Sequence, residues 1–129
     1  MREIKFRVWD QLLSVMIYDD FTVGSKGDLF FWDRETGAYT DIKPSTEAEL
    51  MRWTGLKDKN GKEIYEGDIL KTDGIDGKCL WRIDFEESSY VYGFSPTHAN
   101  DEFSAVHNHV WEEGIVIGNI YENPNLLKS

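Results

Sequence analysis

The sequence predicts a mostly β protein: an antiparallel meander followed by a small SH3-like barrel, with at most one short helix. Three observations carry this. Short apolar runs alternate with Gly-containing turns through the first forty or so residues, which is the pattern of strands that pair with their sequence neighbours. At the centre, Trp53 to Leu56 and Ile64 to Tyr65 flank an Asn60-Gly61 dipeptide, which tolerates the backbone reversal of a hairpin. Beyond it, Cys79, Trp81, Ile83 and Phe85 alternate strictly with Leu80, Arg82, Asp84 and Glu86, so the odd positions are expected in the core. These features divide the chain into an N-terminal meander over 1–49 and a barrel over 50–129, or interleave the two as one domain.

Taken in order, Ile4, Phe6 and Val8 share one face of an opening strand, and Asp10-Gln11 makes the first turn. Val15 to Tyr18 and Phe21 to Val23 are short strands interrupted by Asp19-Asp20. Loop residues 24–28 lead to the aromatic run Leu29 to Trp32, which closes on a turn over Asp33 to Gly37. Pro44 to Arg52 is the one stretch that reads as a helical turn, because Thr46 and Glu49 have capping-box spacing, before the chain runs into a strand. After the central hairpin, Glu66-Gly67-Asp68 bends the chain again, and Asp73-Gly74-Ile75-Asp76-Gly77 is a second turn. Tyr90 to Phe94 is expected as a strand, 95–108 as a polar loop, and Ile115 to Tyr121 as a last strand that ends at Asn123-Pro124.

The tract from Thr54 to Ile69, TGLKDKNGKEIYEGDI, resembles the central signature of the YopX-like family of small bacteriophage and prophage proteins. Ile4 to Asp10 is similar to that family's opening, and Val116 to Pro124 to its close, so the likeness touches both ends and the middle over roughly a third of the chain. The resemblance implies a β-rich fold and a phage origin. It implies no catalytic residues, since the family has no established activity.

Composition narrows the function further. With 40% hydrophobic, 14% aromatic and 29% charged residues, the chain has the means to fold around a core rather than stay disordered. No apolar run approaches the ~20 residues of a membrane span. The start at Met1-Arg2-Glu3 passes directly into strand pattern, so a cytoplasmic location is expected, which the phage resemblance implies is that of a bacterial host. The single Cys79 rules out an internal disulfide and a cysteine cluster for zinc. Of the net charge of −10, most lies in residues 72–129, where Lys78, Arg82 and Lys128 face ten Asp and Glu. Such a surface repels phosphate backbones, so direct nucleic-acid binding is not expected. Lys57, Lys59, Lys62 and Lys71 read as solubilising charges on a hairpin and a sheet edge.

Candidate chemistry is sparse. His107 and His109, two apart, would point the same way in an extended segment and could grip a divalent ion with His98, Asp101, Glu112 or Glu113. That arrangement would serve a metal-dependent hydrolase acting on nucleic acid or nucleotide. No third ligand has a recognised spacing, and two loop histidines are the simpler reading, so no cofactor is expected. Asp58 to Gly61 has Gly at the wrong position for a calcium loop, and Cys79, on a core-facing register, is a poor nucleophile. What remains is a non-catalytic accessory module that binds a protein partner or itself. Asp84, Glu86 and Glu87 are the candidate carboxylates for occupying a basic host protein, and Trp9 or Trp111 the candidate exposed aromatics.

Overall fold

The computed structural model describes residues 4–24, 29–33, 35–43, 48–74, 77–87, 92–98 and 108–127. Among the described residues, eleven strands and one α-helix follow in the order β1 (Phe6–Asp10), β2 (Val15–Ile17), β3 (Phe21–Val23), β4 (Leu29–Asp33), β5 (Ala38–Lys43), β6 (Ala48–Lys57), β7 (Glu63–Tyr65), β8 (Asp68–Gly74), β9 (Gly77–Glu87), β10 (Tyr92–His98), α1 (Asn108–Glu113) and β11 (Ile115–Asn119). The strands pair antiparallel, which places the chain in the mostly antiparallel β class with one short α-helix among the described residues. Two compact units emerge, one from Phe6–Met51 and one from Met1–Lys5 with Arg52–Ser129, so β6 passes from the first to the second.

In the Phe6–Met51 unit, β3, β4 and β5 form a three-stranded meander, and β2 and β1 precede the first half of β6 in strand order. The turn after β1 is fastened by Asp10, which is buried and whose Oδ1 accepts the amides of Leu12 (3.0 Å) and Leu13 (3.1 Å). Val8, Leu29 and Ala48 are the buried centre, with Ile17, Phe21, Val23, Phe31 and Leu50 packed around them. The opening strand departs from its expected face: Ile4 is 78% exposed, while Arg7 and Asp10 are buried beside Val8. Local alternation alone does not anticipate this, because the Asp10 carboxylate is drawn inward to accept the amides of the turn that follows it.

Of the stretch read as a helical turn running into a strand, residues 44–47 lie outside the described residues and the part from Ala48 on is strand. Ala48 and Met51 are both buried, so burial against the core sets the conformation of this part rather than helix propensity.

In the second unit, the strand order β10-β9-β8-β11 makes a four-stranded antiparallel sheet, compatible with the small barrel expected from sequence. Trp81 and Ile83 of β9 are buried with Ile64, Leu70 and Val110, as the period-two pattern predicts, and Cys79, Trp111 and Val116 pack against them. Burying five such side chains contributes roughly 2 kcal/mol each before the entropy of ordering is subtracted. The Asp/Gly turn joins β8 to β9 with Gly74 opposite Gly77; Ile75 and Asp76 lie outside the described residues. The expected loop over 95–108 is shorter at both ends. The stretch Ser95 to His98 continues β10, paired with β9 as far as His98 opposite Trp81, and Asn108 opens the short helix Asn108–Glu113. Pro96 is tolerated because β10 is an edge strand, where a missing N–H costs no ladder bond.

Candidate functional site: the signature hairpin and the carboxylates

The central hairpin is β6, a five-residue loop and β7, with Trp53 opposite Tyr65 and Lys57 opposite Glu63. Its loop is a turn from Asp58 to Gly61, closed by the Gly61 N–H to Asp58 O bond at 2.9 Å. Gly61 has φ 88° and supplies the left-handed step; Asn60 is not among the residues at positive φ. The bend after β7 uses Gly67 in the same way, with φ 87°.

Four side chains of this tract, Thr54, Asp58, Glu66 and Asp68, are turned onto backbone. Asp58 is buried; its Oδ1 accepts the amides of Asn60 (2.9 Å) and Lys62 (2.8 Å), and its Oδ2 accepts the amide of Val116 in β11 at 2.9 Å. One carboxylate thus closes its own turn and ties the hairpin to a strand 58 residues away. Asp68 Oδ2 accepts the Tyr65 amide at 2.7 Å, and Glu66 Oε2 accepts the Arg52 amide at 3.2 Å. Thr54 donates to Ile64 O at 2.7 Å and accepts from the Leu56 amide at 3.1 Å. The closing block is built alike: Asn119 Oδ1 accepts the amides of Tyr121 and Glu122, and Asn123 Oδ1 accepts that of Asn119. Sequence reasoning found the turns but missed these acceptors, above all the bond from Asp58 to Val116.

Beside the hairpin, the Lys5 ammonium bonds Glu63 and lies 4.6 Å from the centre of the Trp53 ring. Its hydrogen bond, helped by its charge, by the Tyr65 hydroxyl and by Lys57, holds the Glu63 carboxyl below its ordinary value against an opposing effect of burial. A folded-state pKa below the unfolded one stabilises the protein above about pH 4.5, and the gain is lost as pH falls through the lower folded value. Both side chains are about one-third exposed, so Glu63→Gln is expected to cost only about 0.5 kcal/mol at pH 7. In urea titrations the gap from the unmodified protein should close below pH 4.5.

The sequence-level candidates fare unevenly. Asp84 is half-buried, accepts from Arg82 Nε at 2.9 and 3.1 Å and from the Thr97 hydroxyl at 3.0 Å, and so is held within the sheet. Glu86 is half-buried and Glu87 exposed at the end of β9. His109 falls within α1, so from Asn108 onward the chain is helical rather than extended, and residues two apart in a helix do not face the same way. His107 and Asp101 lie outside the described residues; Glu112 and Glu113 are exposed on α1. Among the described residues, no three His, Cys, Asp or Glu side chains group to hold a metal ion. Trp9 and Trp111 are half-buried; the exposed tryptophan is Trp32. No helix among the described residues is long and apolar enough to cross a membrane.

Fold and tract together define a small antiparallel β protein whose signature residues serve its own backbone. The family model described as YopX protein matches residues 5–128, and the chain belongs to the YopX family. It is similar to the crystal structure of protein EF1440 from Enterococcus faecalis, with a TM-score of 0.61 and 26% identity over 99% of this chain and 100% of that one. It shares its fold with protein yopX from Bacillus subtilis, with a TM-score of 0.59 and 24% identity over 99% and 100% of the two chains. Comparison with curated proteins finds no match.

Proposed function

We propose that this protein is a phage- or prophage-encoded accessory module that acts in the host cytoplasm by binding a basic protein, without catalysis. The observation that supports this reading is the use of the signature tract. Thr54, Asp58, Glu66 and Asp68 accept hydrogen bonds from backbone amides, and the remaining carboxylate of the tract, Glu63, is bonded to Lys5. A tract spent on holding a sheet leaves recognition to the surface, and the net charge of −10 selects a partner of opposite sign. Of the carboxylates proposed to meet that partner, Asp84 is tied to Arg82, which leaves Glu86 and Glu87 as the stronger pair.

The test is capture of partners from the host, followed by reconstitution with the purified partner. A basic protein should bind, with affinity falling about tenfold or more between 50 and 300 mM salt, and again on Glu86→Lys with Glu87→Lys. A partner that binds equally at both salt concentrations and to the Lys variants would contradict the reading.

A further inference from the structure

The meander β3-β4-β5 has two faces of different character. Phe21, Val23, Leu29 and Phe31 turn to the core. The alternate residues of β3 and β4 therefore take the other side: Thr22 exposed, Phe30 half-buried, Trp32 39% exposed. A register shift between Phe31 and Trp32 brings Trp32 opposite Tyr39, which is 49% exposed. Their rings meet edge to face with centroids 5.0 Å apart. The backbone beneath is fixed, because the Trp32 amide donates to Asp20 O at 2.8 Å and Asp20 sits at φ 62°, a conformation that non-glycine residues rarely adopt. The result is a water-facing aromatic pair on a hydrogen-bonded strand.

Charge decides what would cover it. Within residues 6–51 there are four Lys and Arg (Arg7, Lys26, Arg34, Lys43) against nine Asp and Glu, so five carboxylates are in excess even if every cation is paired. A second copy, a phosphate backbone or an anionic lipid surface brings charge of the same sign and is repelled. A Lys- or Arg-bearing protein segment is attracted, and its cations stack on indole and phenol faces. Resting on the binding-module reading above, the geometry points to the Trp32–Tyr39 face of β4 and β5 as the anchor for a basic segment of a protein partner. The carboxylates elsewhere steer that partner in, while the aromatic pair holds it.

The probe is a hexa-arginine amide peptide, with its neutral citrulline counterpart as control, titrated into isotopically labelled protein. Saturable binding is expected for the arginine peptide alone, with the largest shifts at the Trp32 indole and in β4 and β5. Trp32→Ala and, separately, Tyr39→Leu should each weaken it about tenfold while leaving the remaining spectrum folded. Equal affinity in both variants, with shifts centred on Glu86 and Glu87, would overturn this face and leave the binding-module reading standing. Absence of saturable binding to the arginine peptide would count against both. Self-association that Trp32→Ala abolishes would overturn the basic segment as occupant.

Discussion

Asp58→Ala is expected to lower stability by about 3 kcal/mol, read as a fall in the urea midpoint with an unchanged slope. The carboxylate is buried and accepts three backbone amides, from Asn60, Lys62 and Val116. Hydrogen bonds to a charged acceptor contribute about 1.5 to 3 kcal/mol each, but they do not add in full. Asn60 and Lys62 are exposed, so water replaces the acceptor there at small cost. The penalty therefore concentrates on Val116, half-buried and packed against the cluster around Ile64 and Leu70. Asp58→Asn should be nearly as damaging, because one amide oxygen cannot satisfy both sides and the amide nitrogen would face N–H donors.

Gly114→Ala carries the second large effect, again about 3 kcal/mol, measured in the same way. Gly114 joins α1 to β11, and a methyl group there would lie 2.5 Å from the Val110 carbonyl oxygen and 2.8 Å from Leu70 Cδ2. The first neighbour is backbone and already accepts the Gly114 amide at 2.9 Å, so relief requires breaking the end of the helix. The second belongs to a fully buried side chain in the core and has nowhere to rotate. The equivalent methyl at Gly61 meets nothing within 4 Å, so a cost at that position would arise from its φ of 88° alone.

What the sequence made legible was local. The Asn60-Gly61 turn, the Gly67 bend and the β9 alternation depend on residues within a few positions of each other, and all three stand in the structure. The extension of β10 through Ser95 to His98 was not legible, because its polar residues are recruited by pairing with β9 and have no period of their own. The helix Asn108–Glu113 lacks a periodic apolar face, and its buried anchor is Val110. The work of Asp58 was hidden for a different reason: its decisive partner, Val116, is close only once the sheet has formed. The same holds for the Trp32–Tyr39 pair, whose exposure depends on which face of the meander the core takes.

The central claim is that the signature tract holds the fold and leaves recognition to the surface. Its most direct test is amide hydrogen exchange at Val116 in the unmodified protein and in Asp58→Ala. Slow exchange that is lost in the variant at Val116, Asn60 and Lys62, ahead of the amides of β9, is the predicted result. Unchanged protection at Val116 once Asp58 is gone would contradict it.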